Sequence, residues 1–259
     1  MSKKVDFKAQ IRRLQQVSVV AYVGLAALAV WLMSGASYQL NVNYLAKDDL
    51  ASKTNTVFAP ASHPVFEVRL KWLVVIIMLL AAVIPYLQLM RYPGKYQKSL
   101  KNRVEPMRWI GMGVVSALMV ETIALLSGIN DIITLKVIAA LMLITCWLGY
   151  LSEKENAKSR KPVWPTFAVS VVTATLPWIL IAVAAVMTPF YSAVRAPWYI
   201  YGLYVTTLAT FVFFAKTQMK SHRKVGPWKD YLFVERNYQV ASIVSKVAFA
   251  AILIVGLHK

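Results

Sequence analysis

The chain has 259 residues, 58% of them hydrophobic and 15% charged, with a mean hydropathy of +0.55. A water-soluble domain is nearer about 45–50% apolar and about 25% charged, so the composition points away from a soluble fold and toward lipid. The formal net charge of +18 would suggest nucleic acid in a soluble protein, but the placement of the charges argues against that reading.

Apolar stretches long enough to cross a bilayer occur at 16–36, 69–90, 106–127, 132–151, 165–188, 198–217 and 237–257. That makes seven. The first follows SKK and IRR and ends near Ser34-Gly35-Ala36, a pattern that mimics a secretory signal. Its apolar core, 17–33, is longer than the usual signal core, so a retained first helix is expected. The connection 37–67 is the longest and is rich in Asn, Thr, Ser and Ala. NVNYL and NTVFA within it alternate apolar and polar residues, which predicts a short β-hairpin over one mouth of the bundle. The remaining connections are mostly short. The expected architecture is an all-α membrane protein, one seven-helix transmembrane bundle over residues 1–259.

Lysine and arginine set the orientation. Twenty-one of the 29 fall in the N-terminal arm and in the connections after segments two, four and six, including Lys3, Lys4, Lys8, Arg12 and Arg13; seven fall on the opposite side, among them Lys53, Lys136 and Lys259. The positive-inside rule then predicts a multi-pass cell-membrane protein with its N-terminus in the cytoplasm and its C-terminus outside. The basic inner face favours anionic lipid and makes nucleic acid a poor partner. The single cysteine, Cys146, lies inside the fourth segment; it forms no intrachain disulfide and reads as a small core residue.

The seventh segment carries one charge between Val240 and Leu257, Lys246. An ammonium at the centre of a membrane helix costs about 2.5–3.5 kcal/mol on insertion scales. Snorkelling is strained, because either end of the segment is about 14 Å away. A lysine there is retained where the amine acts, by forming a Schiff base with an aldehyde or by relaying protons. Tyr238, Ser242, Lys246 and Phe249 recur at spacings of four, four and three and share one helical face. Glu121 is the only carboxylate well inside a segment, while Glu153 and Glu235 lie at inner helix ends. Two readings of Glu121 stand: a bundle residue paired with Thr122 or an outer lysine, or the counter-ion of Lys246. Trp178 and Phe211 lie deep enough to wall an elongated apolar ligand, with core packing as the plainer account. His63, His222 and His258 sit in loops or at the terminus, away from metal-ligand spacing, and no metal site is expected. Nucleotide motifs and a hydrolase triad are equally absent from the sequence.

Seven spans with a lysine midway along the last resemble microbial rhodopsins, and the details are similar to the heliorhodopsin branch. Gly226-Pro-Trp-Lys-Asp-Tyr-Leu-Phe-Val-Glu-Arg-Asn-Tyr238, followed by Ser242 and Lys246, matches that family's G-x-W-x-x-Y-L-x-x-E-R-x-Y and the serine four residues before its retinal lysine. Arg108-Trp109, Gly128-Ile-Asn-Asp-Ile132, Glu153-Lys154, Pro177-Trp178 and Tyr201-Gly202 also fit. The resemblance implies a non-enzymatic retinal photoreceptor with an inside N-terminus, a homodimeric assembly, no pumping, and an unidentified cytoplasmic or membrane signalling partner. All-trans retinal would be held covalently by Lys246, beside Ser242. Gly111, Met112, Ser116, Met142, Trp178, Phe211 and Phe214 would form the pocket, and Arg108, Glu153 and Tyr238 the inner polar region.

One departure changes the chemistry. The family carries a glutamate two residues after Arg-Trp, where this chain has Gly111. Its membrane histidines align near Val19 and Ile84. Glu121 is ten residues on, about 15 Å along the axis and about 80° round the helix, so it does not slide into the missing position. A protonated imine with no anion nearby is destabilised by desolvation. Three outcomes follow: a neutral imine absorbing in the near-ultraviolet, an inorganic anion such as chloride in the space left by Gly111, or Glu121 acting from a distance. A light-gated proton or ion channel, or a retinal-binding protein without a productive photocycle, are the alternative functions.

Overall fold

The computed structural model describes residues 6–47, 58–191 and 195–258. Among them, α1 (Phe7–Leu32) is followed by β1 (Ser37–Lys47), β2 (Phe58–Arg69), α2 (Leu70–Tyr86), a π-helical turn (Leu87–Arg91), α3 (Pro93–Asn102), α4 (Pro106–Leu126), α5 (Ile132–Lys158), α6 (Pro165–Tyr191), α7 (Trp198–Arg223), a 3₁₀ turn (Gly226–Lys229) and α8 (Tyr231–Gly256). Seven of these helices, all except α3, are long and apolar enough to cross a membrane.

The apolar stretches locate the spans but not the helix ends. Asp6 caps α1, its Oδ1 accepting the backbone N–H groups of Lys8 at 3.0 Å and Ala9 at 3.2 Å, so the helix begins nine residues before the apolar run at 16–36. Such a side-chain acceptor satisfies donors that a helix N-terminus otherwise leaves bare. Asp230 caps α8 in the same way, accepting from Leu232 at 2.9 Å. At their other ends α5 and α7 run on through charged turns to Lys158 and Arg223. The short α3, absent from the sequence-based assignment, lies across the N-terminal end of the bundle behind Pro93 at its first position.

Each helix packs against its chain neighbours from α1 through α2, α4 and α5 to α6. α8 closes against α1, and α7 packs on α8, α4 and α5. The main core joins Tyr22, Ile77, Met78, Ile123, Ile138, Met142 and Phe249, all essentially unexposed. Outward faces carry large bare apolar side chains such as Trp31, Leu79, Ile110, Trp147, Phe190 and Val205. A soluble monomer rarely exposes such a belt; a lipid-facing bundle requires it. The chain is a multi-pass membrane protein.

The fold is mostly rather than wholly helical. β1 and β2 pair antiparallel from Ser37↔Arg69 to Lys47↔Phe58, with an irregularity between Leu40 and Asn41, and are longer than a short hairpin. Asn55, Thr56 and Val57 of the NTVFA run, like Lys3, Lys4, Lys53 and Lys259 of the charge count, lie outside the described residues. The ribbon is tied to the C-terminal end of the bundle: the Asn41 N–H donates to the Asn130 carbonyl at 2.9 Å, and the Leu70 N–H to that of Ala36 at 3.1 Å.

Candidate functional site

Lys246 lies midway along α8 and donates from Nζ to the Ser242 hydroxyl one turn back. Ser242 is itself fixed by Tyr22 of α1, whose hydroxyl donates to the Ser242 carbonyl at 3.2 Å, while the Tyr22 ring centre lies 5.7 Å from Nζ. Among the described residues, no carboxylate forms an ion pair with Lys246. Two cavities meet at this amine. One, of about 40 Å³, is mainly apolar and runs between α4, α5, α7 and α8. The other, of about 30 Å³, is more polar and extends toward the N-terminal end, past Tyr22, Gln88 and Tyr238 to Arg108.

Met112, Ser116, Phe211 and Phe214 line the apolar cavity with Cys146 and Ser245. Trp178 backs this wall, its ring edge-on to Phe211 at 6.0 Å, and Met142 is fully buried in the adjoining core. Gly111 faces the polar cavity instead. The space expected beside it is filled: a Cβ built on Gly111 would run into the Ile84 side chain, meeting its Cβ at 3.2 Å and its Cδ1 at 3.4 Å. Ile84 fills with hydrocarbon the space that one of the three expected outcomes gave to an inorganic anion. Glu121 is engaged elsewhere, its Oε1 accepting from Lys136 Nζ at 2.7 Å across the α4–α5 pair. The plainer reading of Glu121, a carboxylate paired with an outer lysine, describes this geometry.

At the N-terminal end of the polar cavity lies a buried charged cluster. Arg108 pairs with Glu153 of α5 and Glu235 of α8, and its guanidinium sits 4.0 Å from the centre of the Tyr238 ring. Trp109 Nε1 donates to Glu153 Oε2 at 2.7 Å, the Tyr231 hydroxyl to Glu153 Oε1 at 3.0 Å, and the Tyr96 hydroxyl to Glu235 Oε1 at 3.0 Å. Gly149 makes the Trp109 contact possible, because a Cβ there would stand 2.7 Å from the indole Cη2. Such charges are tolerated in an apolar interior only when paired and hydrogen-bonded. The α3, α4, α5 and α8 helices and the π-helical turn each contribute a partner to the cluster or to its neighbour, Glu105.

Glu105 caps α4 just outside the span. It is fully buried; its Oε1 accepts the Met107 N–H at 3.2 Å and the Gln88 amide at 3.4 Å, and its own N–H donates to Glu153 Oε2 at 3.2 Å. Burial, and next the negative charge of Glu235, push its carboxyl up to about 7 from an ordinary 4.5, against the pull of Arg108, Gln88 and Ser99. Burial and the nearby Glu235 and Glu105 carboxylates likewise raise the Tyr96 phenol well above its usual range.

The sequence points to Lys246, Ser242, Arg108, Glu153 and Tyr238, which lie around these cavities, and not to Gln15, Gln88, Glu105, Tyr22 and Tyr96, which lie there too. Two glutamines in apolar surroundings and a glutamate immediately before the proline that opens a span were the available signals. His222 was expected in a loop. It lies in the last turn of α7, buried, with Nε2 2.9 Å from the Ser152 hydroxyl and its ring packed on Trp164 and Phe167.

Comparisons with known proteins bear on the fold and the family. No curated protein matches the chain. Among solved structures, the transmembrane domain of Salpingoeca rosetta rhodopsin phosphodiesterase superposes with a TM-score of 0.65 at 13% identity, covering 96% of this chain and 84% of that one. At that identity the likeness establishes the fold, a rhodopsin-type bundle. The heliorhodopsin family profile matches residues 11–257, nearly the whole chain, from the second turn of α1 to the end of α8. The chain belongs to the heliorhodopsin family, whose members are retinal-binding, light-sensing membrane proteins.

Proposed function

We propose that this protein is a non-pumping photoreceptor that binds all-trans retinal on Lys246 and has no carboxylate beside the attachment nitrogen. The observation that carries this reading is a half-buried lysine midway along the last helix, its amine hydrogen-bonded to Ser242, at the head of an apolar cavity walled by Met112, Phe211 and Phe214. The walls suit an elongated apolar aldehyde. At about 40 Å³ the cavity is narrower than ligand sites of about 300–1,000 Å³, so the flexible Met112 and Met119 side chains must part to admit a polyene. When bound, retinal supplies light absorption and a double-bond isomerisation. The chain's own residues orient the amine through Ser242, exclude water with the Phe211–Trp178 wall, and face the nitrogen with Tyr22 rather than an anion.

Sensing is favoured over pumping by the distribution of ionisable groups. The Arg108 cluster lies wholly toward the N-terminal end from Lys246, and on the other side Glu121 is held by Lys136. A relay of proton carriers on both sides of the amine is therefore lacking among the described residues. The charge bias supports a cytoplasmic N-terminus; homodimerisation and a cytoplasmic or membrane signalling partner come from the family reading. Chloride in the space beside Gly111 is disfavoured by Ile84.

Reconstitution with all-trans retinal tests the reading. A retinal-dependent absorption band is expected in the wild type, none in Lys246→Ala, and an unchanged band in Glu121→Gln. A band that survives Lys246→Ala would remove the attachment site; one that moves with Glu121→Gln would restore Glu121 as a counter-ion.

A further inference from the structure

The Arg108 cluster and the polar cavity leave one group without a role, Glu105, and one contact without an explanation, the buried amide pair of Gln15 and Gln88. Gln15 Nε2 donates to Gln88 Oε1 at 2.8 Å, and Gln88 Nε2 donates in turn to Glu105 Oε1. Both glutamines are about 2% exposed or less. Gln88 belongs to the π-helical turn after Pro85, a local widening of the helix of the kind found at functional sites. The turn puts Gln88 on the border of two cavities. On one side is the polar cavity that reaches Lys246. On the other is a vestibule of about 830 Å³ at the N-terminal end of the bundle, whose wall carries Lys8, Arg12, Lys101, Arg103 and Lys229.

We propose that Glu105 is a proton-binding site between the Lys246 cavity and the basic vestibule, with the Gln15–Gln88 amide pair as the latch that separates them. Three observations place it there. Glu105 has no exposed surface, so it cannot shed its proton directly to bulk water. Among the described residues its Oε2 has no hydrogen-bond partner, which leaves an oxygen for the proton. The Gln88 amide, which lines both cavities, donates to its Oε1 at 3.4 Å, a long contact.

The groups facing Glu105 set its balance. Glu235 of α8 opposes ionisation by its like charge, while Glu153 of α5 accepts the Glu105 backbone N–H and offers its carboxyl no compensation. Arg108 of α4 favours ionisation but is already shared by those two acids. Tyr96 and Ser99 of α3 and Gln88 of the π turn complete the surroundings. Among the described residues three carboxyls thus face one guanidinium, and Glu105 is the one without a cation of its own. A carboxyl whose proton affinity is raised by folding stabilises the fold while protonated. That contribution is complete below about 4.5 and is lost as pH rises through about 7.

The part of the proposal that concerns Lys246 rests on the retinal reading; the proton site itself does not, and the two are tested separately. Infrared titration of the retinal-free protein in lipid nanodiscs should show a protonated-carboxyl C=O band that grows as pH falls through about 7, is missing in Glu105→Gln and persists in Lys246→Ala. Gln88→Leu removes the amide that favours the ionised form, so the midpoint should move to higher pH. Glu105→Gln should raise the thermal midpoint on the alkaline side and leave it nearly unchanged in acid. Absence of any titrating band that Glu105→Gln deletes would overturn the site. With retinal bound, the pH midpoint of the visible band should differ between wild type and Glu105→Gln. Coincident midpoints alongside an intact infrared band would overturn the connection to Lys246.

Discussion

Gly111→Glu combined with Ile84→Ala is expected to give a pigment whose visible band persists to higher pH than in the wild type. The reason is steric as well as electrostatic. Gly111 lines the same cavity as Lys246 and Ser242, so a carboxylate introduced there would face the attachment nitrogen. An opposite charge within a few ångströms moves a titration by about 1–3 pH units, and the midpoint of the near-ultraviolet to visible conversion should rise by about that much. Gly111→Glu alone should fare worse, because its Cβ runs into Ile84. Overpacking of that kind costs about 1–3 kcal/mol and should appear as poor folding yield. Ile84→Ala alone should leave the conversion near its wild-type midpoint. Absorption titrations of the four proteins check this; a single substitution that reproduces the double variant would show that Gly111 and Ile84 are not coupled.

Arg108→Met is expected to be the most damaging substitution in the charged cluster. Arg108 is 5% exposed and carries the only guanidinium paired with Glu153 and Glu235 among the described residues. Removing one partner of a buried ion pair costs about 3–5 kcal/mol, because the remaining charge is left uncompensated. Here two carboxylates would be stranded. Adding Glu153→Gln and Glu235→Gln should recover part of the loss, since neutral amides tolerate burial better than unpaired anions, and the three effects should be far from additive. Thermal midpoints of retinal-free protein in detergent, with the yield of monodisperse protein, measure this. An Arg108→Met variant as stable as the wild type would mean that the cluster is hydrated or protonated rather than ion-paired.

The spans and Lys246 were legible in the sequence because both are solvent-transfer effects. Uninterrupted apolar runs report bilayer thickness, and a lone ammonium in such a run is conspicuous. Helix ends were less legible. Asp6 and Asp230 begin α1 and α8 well before their apolar cores, and α5 and α7 continue past theirs through Lys158 and Arg223; caps and side-chain bonds at the membrane boundary decide those limits, not hydropathy. α3 carries too few apolar residues to signal itself. The cluster was half legible: Arg108 and Glu153 stood out as charges at helix ends, whereas Gln15, Gln88 and Glu105 meet only through three-dimensional packing across separations of 17 and 73 residues. Least legible was the fate of the space beside Gly111. A missing side chain in a sequence reads as room, but Ile84, from another helix, occupies it.

The most direct test of a retinal site without a carboxylate neighbour is the absorption spectrum of the wild-type protein, reconstituted with all-trans retinal and titrated from acid to alkaline pH with and without chloride. A near-ultraviolet band at neutral pH that converts to a visible band on acidification, with chloride making little difference, is the expected result. A visible band in neutral, chloride-free buffer would contradict it, since it would require an anion within the protein that holds the Lys246 nitrogen protonated.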